Sequence, residues 1–163
     1  MRIAVVGARR QAQGIGQHVA LHLHDLGADV TAIVGTREET IEEARIQLRD
    51  SCGLNVRGYL SVEQVLDSES LDALAICSPD RFHRQHLQLA LEARLHVLCE
   101  KPLIFEPPLD PVAAAEPIVA GFADAGRVLM VNQQWPYTLP TFDKLYPELN
   151  IFDEPLERLE MLL

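Results

Sequence analysis

Apolar positions along this chain fall into two patterns. Short continuous runs occur at Arg2–Val6 (RIAVV), Asp29–Val34 (DVTAIV), 71–78 (LDALAICS), 95–99 (LHVLC) and 127–131 (RVLMV). Runs without polar alternation suit strands of a parallel sheet covered on both faces. A weaker sixth strand is expected near residues 54–59. Between the runs, apolar residues recur every three or four positions, as helices require. The first helix carries Ile15, Val19, Leu23 and Leu26 on one face and ends at Gly27. The second, REETIEEARIQLRD, turns Ile41, Ala44 and Leu48 inward. A short third helix opens at Ser61 with Gln64 three residues on, a capping box. The fourth, HRQHLQLALEAR, packs through Leu87, Ala90 and Leu91. A fifth helical stretch ends near Ala125, and Pro117 inside it predicts a kink or a restart. Strand signals that alternate with helices over about 130 residues predict an α/β fold. The expected form is a doubly wound, mostly parallel six-stranded sheet.

Composition changes the picture at one place. Of nine aromatic residues (one Trp, three Tyr, five Phe), five fall after Asn132: Trp135, Tyr137, Phe142, Tyr146 and Phe152. Four prolines lie there too. Residues 1–132 therefore read as the sheet domain. Residues 133–163 read as an extension, either the start of a second domain or a cap through which two copies pair as a homodimer. The 163 residues are 48% hydrophobic and 23% charged, ordinary for a soluble globular chain. No apolar run is long enough for a membrane span, and MRIAVVGARR has no cleavable signal pattern. A net charge of −10 argues against nucleic acid as a partner. Cys52, Cys77 and Cys99 are odd in number and widely spaced. They suit reduced thiols in the cytoplasm, and no Cys/His cluster has zinc spacing.

The chemistry gathers where strands end, since open parallel sheets bind ligands beyond their carboxyl edge. The first strand–helix junction reads GARRQAQGIG. Gly7 permits a turn, and Gly14, Ile15 and Gly16 bring backbone N–H groups to a helix N-terminus that favours phosphate. Arg9 and Arg10 strengthen the anion reading. The alternative is a glycine-rich connection without a ligand. The second strand ends in Gly35-Thr36-Arg37, where NAD sites usually carry an acid for the ribose. A hydroxyl and a guanidinium favour the 2′-phosphate of NADP over NAD. Alternatively, Thr36 only caps the next helix and Arg37 is solvated. The run HVLCEKPL then sets Glu100 and Lys101 against Pro102 at a strand end. Either this is a surface ion pair, or a cation is held in place for chemistry.

The segment AICSPDRFHRQHLQLALEARLHVLCEKPL resembles the Gfo/Idh/MocA oxidoreductases, and the likeness covers roughly residues 1–132. It implies a Rossmann fold that binds NADP or NAD. It also implies hydride transfer between the nicotinamide and a sugar, polyol or related compound. Ser78, Pro79 and His83 would border the cofactor, Glu100 would orient Lys101, and Lys101 would sit beside the nicotinamide, above Gly7. A cis Lys101–Pro102 bond is expected. The family's second, substrate-binding domain, with its catalytic Asp and His, is not recognisable in this sequence, so the chain alone is expected to be catalytically silent. His86, one turn past His83, reads as solvated. The alternative is a stand-alone dinucleotide-binding sensor or subunit that catalyses nothing; a scaffold that binds no cofactor is a third reading.

Overall fold

The computed structural model describes residues 1–8, 14–133 and 135–149. Arg9, Arg10 and the C-terminal residues 150–163 lie outside this set. Two compact units are present, Met1–Asn132 and Gln133–Leu163. In the first, six parallel strands form one sheet: β1 (Arg2–Val6), β2 (Asp29–Val34), β3 (Arg57–Tyr59), β4 (Ala73–Ile76), β5 (His96–Glu100) and β6 (Leu129–Asn132). Their spatial order is β3-β2-β1-β4-β5-β6. The chain thus winds outward from β1 in one direction, then returns to β4 and winds in the other. Between β1 and β4 lies the switch point where such sheets open a crevice.

Successive strand residues face opposite sides, so each strand feeds two cores. Ala4, Val6, Leu74 and Ile76 join Leu87 and Phe122 on one face. There the sheet is covered by α3 (Val62–Ser68), α4 (His83–Glu92) and α5 (Pro111–Asp124). Ile3, Val5, Ile33 and Ala75 join Ala20, Ala44 and Leu48 on the other, under α1 (Gly16–Asp25) and α2 (Glu38–Cys52). The inward residues expected of α2 are all buried.

Two helix expectations need correction. Leu26 is 85% exposed, because α1 ends at Asp25 and Leu26 falls beyond its last turn. Pro117 neither breaks nor restarts its helix, and α5 runs through it. Asp110 caps α5, its Oδ1 accepting from the N–H groups of Val112 (2.8 Å) and Ala113 (3.4 Å). Ile118 and Phe122 anchor the inner side, while Pro117 sits on the exposed one. The cap at α3 is as expected. The Gln64 N–H donates to Ser61 Oγ (3.2 Å), and Gln64 Oε1 accepts from the Leu60 N–H (3.0 Å).

A buried carboxylate fastens the short strand β3. The Glu69 side chain is 2% exposed and accepts from Arg2 Nη2 (3.2 Å), the Arg57 guanidinium and the Tyr59 hydroxyl (2.7 Å). A buried charge needs such partners. Desolvation and the bond to Glu69 push the Tyr59 phenol pKa up. The second unit contains α6 (Trp135–Leu145) and a 3-10 turn, Pro147–Leu149. Within it, the rings of Phe142 and Tyr146 pack with centroids 4.9 Å apart. No described helix is long and apolar enough to cross a membrane.

Candidate functional site

A cleft of about 420 Å3 opens at the carboxyl ends of β1, β2, β3 and β4. Its floor is the exit of β1, and the geometry there admits only glycine. Gly7 has φ +83°, and a Cβ on it would lie 2.7 Å from the Cys77 carbonyl oxygen. A Cβ on Gly16 would collide with the Gly7 carbonyl. The exits of β1 and β4 and the start of α1 therefore meet backbone to backbone. The N-cap of α1 is Ile15, whose side chain makes no capping hydrogen bond to the first N–H groups of the helix. Helix-start N–H groups beside glycines whose backbones meet closely are the kind of surface a pyrophosphate requires. The residues present fit a dinucleotide.

Gly35 and Thr36 form the wall from β2. Thr36 is exposed, and the N-cap of α2 is Arg37, not Thr36. Arg37 is extended and exposed at the rim, outside the cleft wall, and its carbonyl accepts from the Thr40 hydroxyl (2.9 Å). The β3–α3 connection adds Leu60 and Ser61, and the first turn of α3 adds Glu63. Hydrogen bonds from its own backbone N–H and from Ser61 hold the Glu63 carboxyl below the usual range, so it is ionised.

The β4–α4 connection supplies the opposite wall. Ser78 is buried, with its Oγ 3.0 Å from His86 Nδ1. Contrary to the expectation of a solvated side chain, His86 is half-buried and lines the cleft beside Phe82. Burial pushes its pKa down to about 4; the neighbouring His83 adds to this and Glu63 opposes it. The ring is neutral at neutral pH. His83 is only 1% exposed, with Nδ1 2.8 Å from the Pro102 carbonyl and Nε2 2.9 Å from the Ser78 carbonyl. It stands behind Ser78 and Pro79 as a brace between the exits of β4 and β5, and is not part of the cleft wall.

The Lys101–Pro102 peptide bond is cis, as expected. Lys101 is exposed and does not contribute to the cleft wall. The Glu100 carboxylate accepts from the Asn132 amide, its register partner on β6. It is thereby tied to the sheet edge and has no recorded bond to Lys101 among the described residues. Beneath them, burial lifts the Cys99 thiol to about 12, with Cys77 and Glu100 adding to the effect. A more open apolar groove of about 550 Å3 runs beside α5, past Leu103, Ile104, Val112 and Val119, away from these strand ends. Among the described residues, no group of three or more His, Cys, Asp or Glu could hold a metal.

Sequence reasoning missed Glu63, Arg81, Phe82 and Gln85 as wall residues. The signal for the last two was their spacing. Phe82, Gln85 and His86 recur at three and four positions, on the α4 face next to Pro79.

A doubly wound sheet with a glycine cradle at its switch point defines a dinucleotide-binding protein of the α/β class. Residues 1–133 match the oxidoreductase family with an NAD-binding Rossmann fold, GFO_IDH_MocA, and the chain belongs to that family. Among curated relatives, an inositol 2-dehydrogenase of Corynebacterium glutamicum is 33% identical over 103 residues, 63% of this chain and 28% of the relative. A D-xylose 1-dehydrogenase (NADP(+)) of Haloferax volcanii is 32% identical over 120 residues, 72% of this chain and 33% of the relative. The WlbA dehydrogenase of Bordetella pertussis, solved with NADH and UDP-GlcNAcA, shares the fold. Its TM-score is 0.72 at 22% identity, over 94% of this chain and 41% of that one. The chain spans less than half the length of each of these proteins.

Proposed function

We propose that this chain is the cofactor-binding portion of an oxidoreductase that transfers hydride between NADP and a sugar, polyol or related alcohol or carbonyl. The observation that carries the reading is the cradle at Gly7 and Gly16, closed to any side chain at those positions and set against the start of α1, whose N-cap Ile15 makes no capping bond. Gly14, Ile15 and Gly16 would bring backbone N–H groups to the pyrophosphate, with Arg9 and Arg10 as further cations. Ser78 and Pro79 would bound the ribose on the nicotinamide side. When bound, a nicotinamide supplies the hydride donor or acceptor.

Lys101 is the candidate catalytic group. Its ammonium, at the exit of β5, can donate to a substrate oxygen and stabilise negative charge developing there. Glu100, held by Asn132, would contribute a fixed negative charge next to that cation in the chain. His83 would serve as a brace for both strand exits, without touching the cofactor.

NADP is favoured over NAD because Thr36 and Arg37 end β2 where NAD sites place an acid. Gly35, Thr36 and Arg37, none of them acidic, separate β2 from the first turn of α2, where Glu38 and Glu39 begin. Calorimetric titration with NADPH and NADH tests this. NADPH should bind more tightly, and Arg37→Ala should narrow the gap by about tenfold, the scale of one charge-assisted contact. Equal affinities in the parent chain would overturn the NADP assignment.

A further inference from the structure

We propose that Arg81, laid over Phe82, is the platform on which the cofactor's adenine packs. This rests on the reading of the cleft as a dinucleotide site and adds a residue to it that sequence patterns did not mark. The Arg81 guanidinium carbon lies 4.7 Å from the centroid of the Phe82 ring. The side chain is exposed and lines the cleft. The neighbouring Asp80 carboxylate accepts from the Arg81 backbone N–H (2.9 Å). No ion pair to Arg81 is recorded among the described residues. A guanidinium resting on an aromatic ring presents a flat, weakly hydrated surface, which is the chemistry that stacks on a heteroaromatic base.

The surroundings point to a base and not to a phosphate. Leu60 and Val62 make this part of the cleft apolar. The charged group facing it from the β3–α3 side is Glu63, an ionised carboxylate that would repel an added phosphate. Gln85 donates weakly toward that carboxylate (3.5 Å) and offers an amide to a base edge. The phosphates are provided for at Gly7 and Gly16, and the 2′ position at Thr36. Adenine is the part of the ligand left for the wall that Arg81 occupies.

Titration of the full chain with 5′-AMP, NAD+ and NADP+ tests the assignment, comparing the parent with Arg81→Ala and Arg81→Lys. Both variants should lose about fivefold or more in affinity for all three ligands, because lysine keeps the charge but not the flat face. The preference between NADP+ and NAD+ should stay unchanged. Saturation transfer to the adenine protons of 5′-AMP should fall in both variants. Loss confined to NADP+, or full affinity in Arg81→Lys, would mark Arg81 as a phosphate contact and overturn the proposal. Unaltered binding in Arg81→Ala would overturn it as well, with the dinucleotide reading intact. Failure of the parent chain to bind any of the three would overturn that reading and this one together. Circular dichroism and melting curves of the variants, expected to match the parent because Arg81 is exposed, verify that the comparison is between folded proteins.

Discussion

At the scale of single residues, the site depends on atoms that are missing as much as on those present. Gly7→Ala would force a Cβ into the Cys77 carbonyl at a positive φ. The expected cost is about 1–3 kcal/mol, read from the urea midpoint, together with loss of NADPH binding. His86 makes a second, pH-dependent prediction. Its pKa is about 4 in the folded chain against 6.5 when unfolded. The unfolded chain therefore takes up a proton first, so stability is full above about pH 6.5 and declines as pH falls toward 4. His86→Gln should flatten the stability profile across that window relative to the parent. Of the residues singled out in the sequence, Gly7, Thr36, Ser78 and Pro79 line the cleft, and Gly16 abuts Gly7 at its floor. Arg81 and Glu63 were not legible, because an arginine or glutamate on a surface helix is ordinary until folding brings it to a shared wall. His83 and His86 exchanged their expected environments. A helical turn separates them, and only the packing of α4 decides which of the two faces the brace and which faces the cleft.

At the scale of elements, strand runs and helix faces were read from periodicity with little loss. The ends moved by a few residues, as at β4, which is Ala73–Ile76 within the apolar run 71–78. The restart expected at Pro117 does not occur, because the rule against an interior proline weighs a lost hydrogen bond and a clash against nothing else. In α5 the opposing terms are the Asp110 cap and the burial of Ile118 and Phe122. The helix holds despite its proline, so Pro117→Ala should strengthen it. The substitution restores an N–H for the Ala113 carbonyl and adds a better helix former. A gain of about 1–3 kcal/mol is expected, reduced by the greater freedom of the unfolded chain. A lower urea midpoint in the variant would show that the proline ring makes a packing contribution of its own.

At the scale of the molecule, the parallel sheet and its switch point explain why one cleft collects residues from four strand exits, Val6 to His86 in sequence. The order of strands was not legible; periodicity identifies strands but is silent on which neighbours they choose. The expectation came from the general rule for alternating β and α elements and from the family resemblance, which implies a Rossmann fold. The unit beyond Asn132 carries Leu139, Phe142, Leu145 and Tyr146 as exposed apolar side chains. Such a concentration on an acidic domain favours self-association. We expect a homodimer in sedimentation equilibrium, dissociated by removal of residues 133–163. A monomer at all concentrations would show that these side chains do not drive pairing.

The thiols beneath the cleft offer a clock for its motions. Cys77 follows β4 and Cys99 lies near the end of β5; they are 2% and 0% exposed and are not in disulfides. With its pKa near 12, Cys99 has almost no thiolate to react while the fold is closed. Cys52, at the end of α2 and only half-buried, answers to the solvent around it. An alkylating reagent should therefore mark Cys52 early, and the buried pair only as often as the strand exits separate. The lag between the two signals would measure how frequently the floor of the site opens. Slowing of the late signal by a bound nucleotide would express, in units of time, how firmly the ligand holds the two halves of the sheet together.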